Sequence, residues 1–373
     1  MVDANGADGA VEPLVIDLLR PLYSPAEVLH EGLKAMPNRF APALACVAWL
    51  TATAAAAQSA PPPAAATTVA PVTVQAAPLT KSEALKKSQT FVKAYAKPTA
   101  VLGQPARWRD PVCVIVLGLE PGQAAIVASR VEEVAKAVGL KLAPARCKAN
   151  IEIAFSAQPQ DLLDWVTKHS EWILGYHFDF QTKAVKAVTR PVQAWYMTAT
   201  LGGGANNAEL AFMNVDSGTS DPGTTGLAIA NNNQMETLDT PNGQAPNGCG
   251  DSRFSTCRSS MFANVFIVVD SKRVQGQPLG PLADYLTMLA LSQPRSLDGC
   301  LALASVLDLY APTPCPGRAP PDGLTPADAA YLTALYSTDP ETKGVLQGSD
   351  IALRMARMVA SPVVRAAEES GGH

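Results

Sequence analysis

Six of the seven cysteines in this chain, Cys113, Cys147, Cys249, Cys257, Cys300 and Cys315, fall after residue 100; the seventh is Cys46. Thiols bind metals, act as nucleophiles or pair oxidatively. Metal binding calls for Cys-x-x-Cys spacing or nearby histidines. The chain has no Cys-x-x-Cys, and its histidines are His30, His169, His177 and His373. An even set of six points instead to disulfides. Closure entropy, which grows with separation, favours the local pairing Cys113–Cys147, Cys249–Cys257 and Cys300–Cys315. No metal site and no cofactor is expected. His169 and His177 read as structural side chains, because no Cys, Asp or Glu cluster stands beside them and Gly175 interrupts the helix that would align them.

The carboxylates offer one local pattern. Val215-Asp216-Ser217-Gly218-Thr219-Ser220 resembles the signature of aspartic proteases, whose chemistry needs two carboxylates sharing a proton. The only near-copy, Asp221-Pro222-Gly223-Thr224, lies in the same turn and has no hydroxyl residue after the aspartate. A homodimer could supply the second carboxylate, but Asn/Gly-rich sequence follows where apolar strands are needed. Asp216 therefore stands as a candidate catalytic residue beside the plainer reading of Asp-Ser-Gly as a turn. No G-x-S-x-G or Walker A motif is present. Gly202-Gly203-Gly204 has neither the lysine nor the helix start that phosphate binding requires. Trp195 and Tyr196 are candidate binding residues that would line a peptide groove if their strand were an edge. The alternative is sheet packing, the common role of aromatics in strands.

Disulfides need an oxidising compartment, and the chain contains an export pattern. From Met36 it reads MPNRFAPALACVAWLTATAAAAQS. Arg39 is the basic n-region, Phe40 to Ala57 the apolar stretch, and Ala55-x-Ala57 before Gln58 the cleavage site of a secretory signal peptide. Residues 1–35 are expected to be an upstream extension, 36–57 the signal, and 58–80 an Ala/Pro/Thr-rich disordered linker. A single disulfide-stabilised domain is expected over 81–365, with a long Gly/Asn/Ser-rich loop at 201–259 and a disordered tail at 366–373. Ala43-Leu44-Ala45 is a poor lipidation sequence before Cys46. The apolar stretch falls short of the ~20 residues of a membrane helix, so no stable span is expected after cleavage. The expected location is the bacterial periplasm or the exterior. Residues 58–373 carry 26 basic and 27 acidic side chains. Such a balance does not neutralise phosphates, and nucleic acid is not an expected partner.

The elements that must carry these residues follow from periodicity. Lys81 to Ala96, Gln123 to Val138 and Pro159 to Leu174 read as helices, with Ile126, Val127, Val131, Val134 and Val138 on one face of the second. The apolar run Cys113 to Leu119 reads as a buried central strand, Asn150 to Phe155 as an alternating strand, and 192–200 and 262–269 as further strands. Ala208 to Asn214 is expected as an edge strand or hairpin. Helices are expected from Pro278 through Leu291, within Leu301 to Leu309, from a Thr325 cap to about Tyr336, and from a Ser349 cap through Val359. The fold class is α/β (α+β), a mixed sheet packed by helices with a helical C-terminal part.

This order resembles the zincin metalloprotease fold. Four stretches, Ala283 to Leu291, Asp298-Gly299-Cys300, Leu324 to Asp328 and Leu332 to Tyr336, resemble a proteobacterial family of secreted zincin-like proteins. Only the C-terminal part of the chain carries the resemblance. In zincins, HExxH puts two histidine ligands on one helical face and a glutamate beside the metal-bound water. Here Asp284, Tyr285, Thr287 and Met288 stand in that neighbourhood, and no histidine occurs between His177 and His373. The resemblance thus implies a scaffold without its zinc site. The expected function is a non-catalytic binding domain that engages an envelope or periplasmic protein or peptide through the 201–259 loop and the adjacent edge strand. The alternatives are a peptidase-like hydrolase using Asp216 or Asp284, and a structural envelope protein.

Overall fold

A computed structural model describes residues 79–175, 177–202, 211–213, 227–231, 234–238 and 252–360. The first described element is α1 (Lys81–Tyr95), which starts where the Thr80 hydroxyl accepts from the Glu83 N–H at 3.2 Å and the Glu83 carboxylate accepts from the Thr80 N–H at 3.0 Å. This reciprocal box satisfies donors that a helix start leaves unpaired. Then follow β1 (Val114–Leu117), α2 (Pro121–Ala137), β2 (Ile151–Ser156) and α3 (Pro159–Ser170). Both α2 and α3 have proline in the first turn, where the missing N–H costs nothing. A 3-10 turn at Glu171–Leu174 and the short α4 (Thr182–Val185) lead to β3 (Val192–Gly202). Next come β4 (Ala211–Met213), β5 (Leu227–Asn231), β6 (Gln234–Leu238) and β7 (Arg258–Asp270). The C-terminal part holds α5 (Leu279–Leu291), a 3-10 turn at Val306–Tyr310, α6 (Pro326–Ser337) and α7 (Gly344–Val359).

The strands form one mixed sheet in the order β1-β2-β7-β3-β4-β5-β6. β1, β2 and β7 run parallel, and β3 pairs antiparallel with β7. The two faces are sorted by the alternation of side chains. Ile151, Ile153 and Phe155 of β2 and Val265, Ile267 and Val269 of β7 belong to the larger core with α1, α2, α5 and α6. Ala154, Phe266, Val268 and Trp195 belong to a second core under α3 and the 171–174 turn. The expected α+β class is what the chain adopts. No helix among the described residues is long and apolar enough to cross a membrane.

Several local expectations need correction. The run beginning at Cys113 is not a central strand: β1 is outermost in the sheet order and is mostly half-buried. Its residues are apolar on both sides because both faces of the sheet are covered, a condition that does not require a central position. Ile126 is 54% exposed, and α2 buries Val127, Val131 and Ala135, a stripe spaced by four that leaves 126 to one side. β2 does not alternate between core and water, for all six of its residues are buried. Ser349 does not cap the last helix: α7 begins at Gly344. Of the helical piece expected over Leu301 to Leu309, the 3-10 turn from Val306 is what forms.

Two of the three expected disulfides lie within the described residues. Cys113–Cys147 joins the segments leading into β1 and β2, and Cys300–Cys315 closes the loop around the 3-10 turn. Cys257 is also disulfide-bonded; Cys249, its expected partner, lies outside the described residues. β3 is not a free edge along its length, since its last residues pair with β4. Beside its first half lies Gly175, at φ +73°, where an added Cβ would come within 2.2 Å of the Tyr196 carbonyl oxygen. Only glycine tolerates both that conformation and that approach.

Candidate functional site

The helix that would carry a metalloprotease motif, α5, is buried at every residue except Gly280 and Pro281. Its high apolar content makes this possible, and burial leaves its last carbonyls without water. Three side chains from distant elements satisfy them. The Tyr196 hydroxyl donates to the Leu289 carbonyl at 3.0 Å, the Trp108 indole N–H to Ala290 at 2.8 Å, and the Tyr336 hydroxyl to Leu291 at 2.8 Å. Orphan carbonyls at a buried helix end demand such partners. Tyr196 is therefore a cap on α5, packed against Phe262, and burial holds its phenol well above the ordinary range. Trp195 points to the opposite face, packs on Phe266 and donates its indole N–H to the Val185 carbonyl at 2.8 Å. The two candidate binding residues thus serve packing and capping on opposite faces of the sheet.

Asp284 is buried on α5 and has both oxygens engaged. Oδ1 accepts from the Arg130 Nε of α2, and Oδ2 accepts from the Leu324 N–H at 2.9 Å. Its carboxylate raises the affinity of the Arg130 guanidinium for its proton. Gly323 stands where a Cβ would come within 2.7 Å of Oδ2, so the turn before α6 closes directly on this carboxylate. Of its helical neighbours, Tyr285 packs edge-on to Tyr310 and the Thr287 hydroxyl donates to its own helix at Ala283. The arrangement joins α2, α5 and the start of α6, and offers no open oxygen to a substrate.

The acids of the neighbouring C-terminal stretches are also structural. Asp328 takes four hydrogen bonds, from the Ser305 hydroxyl (2.6 Å), the Val306 N–H (2.8 Å) and the Thr325 N–H and hydroxyl (both 2.9 Å). Burial pushes its carboxyl up, and these donors oppose the shift. Asp308 accepts from the Cys300 N–H, the Ser305 N–H and the Arg318 guanidinium. Thr-Pro-Ala-Asp is thus a capping box linked through Ser305 to a second one, Ser305 with Asp308, on which the Cys300 N–H also closes.

His169 is stacked on Trp165 and bonds its carbonyl, and His177 bonds the Gly175 carbonyl. Asp216 lies outside the described residues, as does most of 201–259, whose described residues include β4, β5 and β6 rather than loop alone. Among the described residues no group of three or more His, Cys, Asp or Glu side chains could hold a metal ion.

An open cleft of about 360 Å³ lies between α1, α7 and the turn around Gly103. Lys93 and Arg295 line it, and no carboxylate does. Neither cation has an ion-pair partner among the described residues. The adjacent Lys97 has its affinity for a proton lowered by burial and by Arg295, so positive charge is crowded here. Gly344 lets the first turn of α7 seat on the Gly103 carbonyl, which a Cβ would meet at 2.3 Å. Ser349 supplies a hydroxyl to the lining. Nothing local marks this cleft in the sequence beyond Gly344 and Gly348, two glycines one helical turn apart. Its parts come from positions separated by some two thirds of the chain. No protein-family model, curated protein or solved structure matches the chain.

Proposed function

We propose that this chain is an exported, non-catalytic binding protein of the bacterial envelope, built on a zincin-like scaffold without a metal site, and that its cleft receives acidic side chains of a peptide segment. The observation that carries the reading is the cleft itself, with two unopposed cations and no carboxylate in its lining. Its volume is in the range of small-ligand sites. Support for the non-catalytic part is the engagement of both Asp284 oxygens in structural bonds. Support for export is the signal-like sequence after Met36 together with disulfides, which persist outside the reducing cytosol.

The test is fluorescence anisotropy of a labelled hexaglutamate peptide titrated with oxidised protein at low salt. Binding is expected, weakened about tenfold or more by the pair Lys93→Glu and Arg295→Glu, because each exposed charge contact is worth up to ~1 kcal/mol. Salt should weaken it as well. A wild-type protein that leaves the acidic peptide free, or a double variant that binds it equally, overturns the cleft as the binding site.

A further inference from the structure

In the sequence, Ile151-Glu152-Ile153-Ala154-Phe155-Ser156 alternates as if Glu152 faced water. In the sheet, Glu152 is only 3% exposed. It shares a face with Ala154 and is in register with Ile115 of β1 and Phe266 of β7, on the side covered by α3 and the 171–174 turn. The Asn264 Nδ2 of β7 donates to Glu152 Oε1 at 3.3 Å. The remaining oxygens of the pair, Glu152 Oε2 and Asn264 Oδ1, are both buried without a hydrogen-bond partner. Two orphaned acceptors on adjacent strands are costly, since a buried polar group left unmade loses its hydration with nothing in return. A single proton on Glu152 Oε2 serves both: that oxygen becomes a donor toward Asn264 Oδ1, while Nδ2 continues to donate to Oε1.

We propose that Glu152 is held as a neutral carboxylic acid, closed in a two-bond ring with Asn264, and that this pair is a proton-operated latch beneath α3. No charge faces it. The titratable residues of α3 and the following turn, Asp161, Asp164, Lys168, His169 and Glu171, are all exposed, and of the α4 segment that packs on the same core through Val185 and Val188, Lys183 is exposed and Lys186 is paired with Glu171. Tyr196 of β3 belongs to the other face, and Arg258 and Asp270 stand at the two ends of β7. β1 contributes only apolar side chains. Burial pushes the Glu152 carboxyl up to about 8, with the Asn264 hydrogen bond acting in the opposite sense. The unfolded chain releases this proton near the ordinary 4.5. Between those values the folded state holds a proton that the unfolded state has lost. The contribution of this group is therefore complete below pH 4.5, declines as pH rises toward 8 and is level above it. Above pH 8 a charge lies under α3, and the packing of that helix loosens.

Urea unfolding of the oxidised protein from about pH 5 to 9, beside Glu152→Gln, tests the latch. Glutamine keeps both bonds, donating from its own amide to Asn264 Oδ1, and does not titrate. The folding equilibrium constant of the wild type relative to the variant is expected to fall by up to about tenfold per pH unit across the window and to level above about pH 8. At equal pH, α3 amides should exchange faster in the wild type than in the variant only above about pH 8. Parallel pH dependences of the two proteins overturn the proposal. Should the variant fail to fold, the infrared spectrum of the wild type decides. A protonated-carboxyl band at neutral pH that titrates away near pH 8 is expected, and its absence overturns the assignment.

Discussion

Arg130 and the Leu324 N–H between them occupy both oxygens of Asp284. The consequence for mutation differs from that of a catalytic carboxylate. The Arg130 side chain is 37% exposed, so solvent screens the ion pair and its share is small. Most of the cost of Asp284→Ala comes from the Leu324 N–H and the emptied space, about 1–3 kcal/mol. Asp284→Asn keeps an acceptor for Leu324 and should recover part of it. Urea midpoints of the two variants measure this ordering. A catalytic role would instead make both substitutions equally damaging to a hydrolytic activity, with little change in midpoint. Sequence alone presents Asp284 as an acid at a motif position; its partners lie 154 and 40 residues away, beyond any local pattern.

At the scale of elements, α5 is legible in the sequence as an apolar helix, but its termination is not. A helix that ends in the core has carbonyls to satisfy, and here β3, the segment before β1 and α6 each send one donor. Tyr196→Phe removes one of them and leaves the Leu289 carbonyl without that partner. The expected cost is about 1–2 kcal/mol with the fold retained, read from the guanidinium midpoint with an unchanged near-ultraviolet circular dichroism spectrum. An unaltered midpoint would mean that the cap contributes nothing. The same logic explains α7. Ser349 is a good capping residue by type, yet Gly344 lets the helix start earlier by seating its first turn against the Gly103 backbone.

At the scale of the whole molecule, the disulfides set how much freedom the unfolded chain keeps. Cys113–Cys147 spans 34 residues and Cys300–Cys315 spans 15. From loop closure, the pair Cys113→Ser and Cys147→Ser should cost about 4 kcal/mol, and Cys300→Ser with Cys315→Ser about 3 kcal/mol. Equilibrium unfolding of each double variant gives the values, and the order of the two losses tests the chain-entropy argument. The first bond also holds β1 beside β2 at the outer end of the sheet order, and so helps to keep the outer hydrogen-bonding edge of β2 paired.

The elements and two of the cysteine pairs follow from local rules, because turn residues, hydrophobic period and loop length act over short separations. The strand at Cys113, the helices at Pro159 and Thr325, and the Cys300–Cys315 loop all formed close to where those rules put them. Exposure did not follow. Glu152 in an alternating strand and Asp284 on an apolar helix look alike as isolated acids in the sequence, yet one is buried with an orphaned oxygen and the other is bonded at both. Burial is decided by what covers each face, and that cover comes from α2, α3 and α6, remote in sequence. The basic cleft is of the same kind: Lys93, Gly344 and Arg295 become neighbours only once α1 and α7 pack together. Local chemistry chooses the elements; their packing chooses which side chains lose water, and with it the site.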